Sequence, residues 1–222
     1  PKVVSWWIGE ALEEQGHSPD DEVDEVLWLP VDRADDLLTY PSEFQVLKEA
    51  LSVRPPTTTI VVVRHGKAVS RKEWAAGTSR KHRDDARRPL DRRGKRQAEA
   101  LPQILDCYAV HRLVSSSAAR CVQTLTPYAK QIGVDVRADD ELTEEVHTED
   151  PDRTEARMCR IVADALNDPA QPVAICGHRP VLPLMNHALG VVYHPMSTAE
   201  CLIVHLDRDG KSLAEERLDS II

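Results

Sequence analysis

The sequence predicts an α/β fold, a mostly parallel sheet flanked by helices, preceded by a smaller front segment. Three observations carry this. From residue 57 onward, strand-like and helix-like stretches alternate, as in a sheet joined by crossover helices. The run Ile60-Val61-Val62-Val63 is apolar at every position, the pattern of a strand covered on both faces. Two apolar runs end abruptly in RHG (64–66) and GH (177–178), which suits strands whose carboxyl ends line a ligand crevice.

The elements follow in order. KVVSWWIGEA (2–11) and DEVLWLPV (24–31) read as strands, VDRADDLLTY (31–40) as a short helix, and SEFQVLKEALSV (42–53) as a helix with Phe44, Leu47 and Leu51 on one face. SVRPPTTT (52–59) reads as a linker, because its two prolines hold an extended backbone. Residues 1–54 and 57–222 are therefore expected to be separate units. About fifty residues with two strands cannot close a core alone. The front segment, which starts on strand-like sequence without methionine, reads as the closing portion of a larger domain.

After the linker come the strand TTTIVVVRHG (57–66) and a helix around Gln97 to Tyr108. Pro102 should kink that helix or delay its start. Next are the strand HRLVSSS (111–117), the helix AARCVQTLTPYAKQIG (118–133) and a short strand in VDVRADDEL (134–142). A helix from Asp152, with Glu155 completing a D-x-x-E start signal, leads to the strand PVAICGH (172–178). A helix near PVLPLMNHALG (180–190) and a strand in ECLIVHLD (200–207) complete the pattern.

Composition narrows the class. The 28 Lys and Arg against 37 Asp and Glu give a net charge of −9, which argues against nucleic-acid polymers and membrane surfaces as partners. No stretch approaches the roughly 18 apolar residues of a membrane span, and PKVVSWWIGE lacks the order of a signal peptide, so a cytoplasmic location is expected. Five scattered cysteines without CxxC spacing suggest neither a disulfide framework nor a thiolate metal site. One segment runs against the acidic trend: residues 80–96 carry nine Lys and Arg against three acids. It reads either as a solvated loop or as a positive funnel for a polyanionic substrate.

Three strand ends converge on one chemistry. Arg64 and His65 end the first strand, Ser116 to Arg120 follow the second, and Gly177-His178 end a third. Serines suit helix N-caps, and a helix N-terminus, two guanidinium forks and two imidazoles make a cradle for a phosphate dianion. No metal is implied. No carboxylate ligand motif accompanies the two histidines, and the arginines would repel a cation.

These residues carry a resemblance. VVVRHGKA, SSSAARCVQT, ICGH and RRPLDRRGKRQAEAL together resemble the histidine phosphatase superfamily, over about residues 57–222. The last of them resembles the R-P-L-x-x-x-G stretch of its compact branch, which includes the phosphohistidine phosphatases. The resemblance implies that His65 is the nucleophile, forming a phosphohistidine, and that Arg64, Arg120 and His178 hold the phosphoryl oxygens. ELTEEVH (141–147) resembles the family's L-x-E segment, which implies Glu144 rather than Glu145 as general acid. It favours a phosphate ester or anhydride substrate. Lys67 and Arg88 are candidate substrate-binding residues.

DDEVDEVLWLPVDRADDLLTYPSEFQVLKEAL is similar to the C-terminal half of MutT-type Nudix hydrolases, where such elements close an αβα sandwich. Nudix and histidine phosphatase domains occur fused in this order, acting on oxidised guanine nucleotides and diadenosine polyphosphates. The Nudix box, whose glutamates hold magnesium, is absent from the 222 residues, so Mg would serve only a Nudix active site lying outside them. The expected function is removal of a terminal phosphate from a nucleotide, with the rest of a Nudix domain as partner and a homo-oligomer possible. The alternatives are a protein phosphohistidine phosphatase or a non-catalytic nucleotide-binding support.

Overall fold

The computed structural model describes residues 4, 6–9, 19–34, 36–52 and 57–222. The chain divides into two compact units, Pro1–Pro55 and Pro56–Ile222, close to the boundary the prolines suggest.

The front segment forms the helices α1 (Val31–Ala34) and α2 (Pro41–Ser52). Phe44 and Leu47 of α2 are half-buried, whereas Leu51 is 51% exposed, so the expected shared apolar face is only partly covered. The two expected strands are corrected. Among the described residues, 6–9 and 24–30 are irregular, and Trp6, Trp7, Leu27 and Trp28 are all more than half exposed. A strand needs a sheet to take up its N–H and C=O groups. The rest of KVVSWWIGEA lies outside the described residues.

The main domain is built on β1 (Thr58–Arg64), β2 (Arg112–Ser116), β3 (Val136–Asp139), β4 (Val173–Gly177), β5 (Cys201–Leu206) and β6 (Ser212–Leu218). They form one sheet in the order β3-β2-β4-β1-β5-β6. The pairs β1/β4, β4/β2 and β2/β3 are parallel, while β5 runs antiparallel to both β1 and β6. The sheet is therefore mixed but mostly parallel, as expected, with β5 alone reversed. Strand β6 was not expected: SLAEERL has too little apolar content to signal a strand. Its charges suit an edge strand, where they discourage pairing with another chain.

Both faces of the sheet are covered, as the unbroken Ile60–Val63 run requires. Ile60 and Val62 face a core with Met158, Ile161, Leu182 and Met185. These come from α8 (Pro151–Asn167) and α9 (Leu182–Ala188). Val61 and Val63 face Leu105, Cys121, Leu125 and Tyr128 on the other side. Those belong to α5 (Pro102–Cys107) and α6 (Ala119–Ile132). Burying a side chain of this size contributes roughly 1.5–3 kcal/mol, so the alternation on one strand fixes two layers at once.

Three helix boundaries differ in detail. The helix expected around Gln97 is two, α4 (Arg92–Ala100) and α5, with Leu101 between them, because Pro102 cannot donate an N–H. It starts early rather than late, since the Asp91 side chain accepts from Gly94 N and caps α4. Helix α8 is capped by Asp150, which accepts from Arg153 N, and not by Asp152; Pro151 occupies the first turn, where no N–H is needed. Short helices α3 (Arg71–Ala75) and α7 (Glu144–Glu149) and 3-10 turns at Arg80–Arg83, Asp85–Arg87 and Asp140–Leu142 complete the domain. No helix among the described residues is long and apolar enough to cross a membrane. Cys121, Cys176 and Cys201 are buried, Cys107 and Cys159 are exposed, and all are free thiols.

Candidate active site

The carboxyl ends of β1, β2 and β4 deliver the expected residues to one place. His65 follows β1, and its Nδ1 lies 2.7 Å from the Gly66 carbonyl oxygen. That carbonyl can only accept, so Nδ1 carries the proton and Nε2 keeps its lone pair. Burial holds the pKa of this ring down to about 4; the nearby His178 and Arg120 act the same way, against Cys121 and the Gly66 bond. His65 is thus neutral near pH 7 and has a bare nitrogen. Its ring meets that of His178 edge-on, with centroids 5.4 Å apart.

His178 is fully buried after β4. Its Nε2 lies 2.7 Å from Ser116 Oγ and its Nδ1 3.2 Å from Glu144 Oε1. Burial opposes charge on this ring, but Cys121 and then Glu144 outweigh it and push the pKa up to about 9. The serines were expected to cap α6. The capping position is instead Ala118, without a side-chain bond, and Ser116 accepts from His178.

Arg120, in the first turn of α6, is also fully buried. Its Nη2 donates to Glu144 Oε1 at 2.9 Å and its Nη1 to the Asp85 carbonyl at 3.0 Å, with Asp85 Oδ2 at 3.3 Å. Arg64 is half-buried and donates through Nη1 to the Met196 carbonyl; burial and then Arg179 lower its pKa. The Nε atoms of Arg64 and Arg120 are buried without a partner. Thr124, one turn along α6, accepts from Gly66 N at 2.9 Å and donates to the Arg120 carbonyl at 2.7 Å. One hydroxyl therefore spaces the histidine turn from the buried arginine.

Glu144, at the start of α7, reaches into this group, while Glu145 is exposed. One carboxylate oxygen meets Arg120 and His178; the other meets Arg71 Nη2 at 2.6 Å. The His178 bond, against burial and aided by Arg120 and Arg71, holds the Glu144 carboxyl far below the usual carboxylate range. The expected waiting acid is corrected for the resting site: Glu144 is ionised there. No carboxylate ligand motif marks the histidines in the sequence, but in space one carboxylate joins them. His65, Glu144 and His178 offer ligand atoms within 4.8 Å of one another. A cation would have to displace two guanidinium groups from that carboxylate.

Sequence reasoning missed Asp85 and Arg71. Burial opposes the charge on Asp85, but Arg88, Arg120 and Arg71 hold its carboxyl below the ordinary range. Its D-D-A-R-R context reads as a turn, and nothing local marks one aspartate over the other. Arg88 is buried, with Nε 2.8 Å from Asp85 Oδ1 and Nη1 2.9 Å from the Val69 carbonyl. These bonds tie Arg88 to the loop. Lys67 is exposed, and its backbone N donates to Gln97 Oε1. Of the basic segment, Arg80, Lys81, Arg83 and Arg87 are exposed on the two 3-10 turns. Gly94, the glycine of R-P-L-x-x-x-G, packs so tightly that a Cβ there would stand 1.9 Å from the Lys67 carbonyl oxygen.

A neutral imidazole with a bare nitrogen, beside a buried guanidinium, a half-buried one and a charged imidazole, has the chemistry to hold and attack a phosphoryl group. Residues 60–147 match the model of the histidine phosphatase superfamily (branch 1). The chain is 39% identical over 166 residues to the 8-oxo-(d)GTP phosphatase of Mycolicibacterium smegmatis, covering 75% of this chain and 48% of that protein. The chain thus spans about half the length of this relative. Among solved structures, the protein histidine phosphatase SixA complexed with tungstate superposes with a TM-score of 0.56 at 19% identity, covering 73% of this chain and 97% of that one. A putative phosphohistidine phosphatase SixA from Nakamurella multipartitia gives 0.51 at 24% identity, with 76% and 99% covered. These two likenesses bear on the fold.

Proposed function

We propose that the main domain is a phosphohydrolase that removes the terminal phosphate of a nucleoside diphosphate, an oxidised guanine nucleotide included, through a phosphohistidine at His65. The observation that carries this is the His65 Nδ1–Gly66 bond, which leaves Nε2 unprotonated beside the cations of Arg64, Arg120 and His178. Nε2 attacks the terminal phosphorus, the N–P bond forms, and the bridging P–O bond breaks with its electron pair on the departing nucleotide oxygen. Arg64, Arg120 and His178 take the charge on the phosphoryl oxygens. Water then attacks the phosphohistidine and gives a proton to the Glu144 carboxylate, and the N–P electrons return to Nε2.

An ionised Glu144 suits a leaving group that needs no proton, and a nucleotide phosphate oxygen is weakly basic. The name of the M. smegmatis relative supports a nucleotide substrate. A second reading, a protein phosphohistidine phosphatase, has the R-P-L segment in its favour. The Nudix assignment of residues 1–54 belongs to the proposal as well, on the resemblance of their sequence.

The test is labelling with terminally labelled GDP in excess EDTA. Wild type should turn over and carry an acid-labile label, and His65→Ala should lose both, with activity down by several orders of magnitude. Activity abolished by EDTA, or a label that survives His65→Ala, would overturn the covalent mechanism. Turnover of a phosphohistidine peptide but not of GDP would select the second reading.

A further inference from the structure

We infer that Arg71 is a specificity-determining residue that binds the leaving-group phosphate of a diphosphate substrate, an inference resting on the phosphohydrolase reading above. Arg71 opens α3 and differs from the other site cations in exposure: its side chain is 66% exposed, against 0% for Arg120 and His178. Glu144 lies between the two tiers. Its inner oxygen faces Arg120 and His178, and its outer oxygen faces Arg71. A phosphoryl group seated on the inner cations and attacked from His65 must expel its leaving oxygen away from that histidine. Arg71 stands on the outer side of the same carboxylate, at the solvent end of the site.

Charge points the same way. Arg71, Arg88, Arg120 and a protonated His178 gather around the carboxylates of Asp85 and Glu144, with Cys121 also beside His178 and Glu200 acting on Arg64. A phosphomonoester brings about two negative charges, and a second phosphate in the chain brings one more. That further charge calls on a cation outside the buried tier. Arg71 is the one whose guanidinium is open to solvent. Its other close partner, Asp85 Oδ1, is 3.6 Å away and is shared with Arg88, so an incoming phosphate oxygen competes with a long contact. A guanidinium also offers paired N–H groups that fit a phosphate.

The experiment compares GDP with nitrophenyl phosphate, both of which have weakly basic leaving groups and differ in the second phosphate. Arg71→Gln should lower kcat/KM on GDP by about 10- to 100-fold, the worth of one charge-assisted phosphate contact. The loss on nitrophenyl phosphate should be at least about five times smaller. Arg71→Lys, which keeps the charge, should recover part of the GDP activity. Equal losses on the two substrates would overturn the inference and leave Arg71 as a group acting through Glu144 or on the transferred phosphoryl. An undiminished GDP activity would overturn it too. Failure of wild type on both substrates, or absence of a His65 label, would instead strike the underlying phosphohydrolase proposal.

Discussion

The two histidines should write a readable pH profile. His65 must be neutral to attack, and its pKa is held down to about 4; His178 must be charged to hold a phosphoryl oxygen, and its pKa is pushed up to about 9. Activity should therefore fall as pH drops through the first value and as pH rises through the second, with a plateau between. The perturbation is to strip His178 of the neighbours that raise it, first with Glu144→Gln and then with Cys121→Ala added. Each should move the upper limb down toward the ordinary histidine value. At pH 8 a group of pKa about 9 is about nine-tenths protonated, whereas one near 6.5 is about 3% protonated, so full reversion costs about 30-fold at that pH. The assay is kcat/KM on nitrophenyl phosphate from pH 4 to 10, taken as the ratio of variant to wild type. The substrate's own ionisation near about 6 then divides out. Near pH 5 the ratio should level off, because His178 is charged in every variant. A wild-type upper limb near 6.5, or a limb that ignores both substitutions, would refute the assignment of His178 as the charged partner.

Two further outcomes are expected. Glu144→Gln should slow alkyl phosphates, nitrophenyl phosphate and GDP by similar factors, within the roughly 10²- to 10⁴-fold range of acid–base groups, because an ionised carboxylate serves the water step common to all three; a loss confined to alkyl phosphates in a leaving-group series would return Glu144 to the role of general acid. Gly94→Ala forces a methyl group against the Lys67 carbonyl, so chemical denaturation should show a loss of about 1–3 kcal/mol together with a fall in kcat; an unchanged stability would mean that the two segments separate without cost.

The sheet was legible because its information is local. Four consecutive apolar β-branched residues ending in Arg64-His65 declare both a doubly covered strand and the end of it that faces the ligand. His178 was legible for the same reason, standing one residue after a strand. Asp85 and Arg71 were not, because their roles arise from Arg120 and Glu144, which are 35 and 73 residues distant in the chain. The identity of Glu144 could be read from its segment, but its charge state could not, since that depends on three cations brought from other elements. In the front segment LWL signals apolar extended chain, but an apolar run does not by itself supply a sheet, and residues 24–30 are irregular.

The Thr124 hydroxyl bears on how such a site can diversify. Because it joins Gly66 N to the Arg120 carbonyl, the separation of attacking nitrogen from buried guanidinium is set by a two-bond bridge between neighbours in space. The long excursion of chain from 69 to 83, which carries Arg71, plays no role in that bridge. Chemistry and selectivity are thus mounted on different fixtures. Lengthening or rewriting the excursion can exchange one leaving group for another while the reaction itself keeps its gauge.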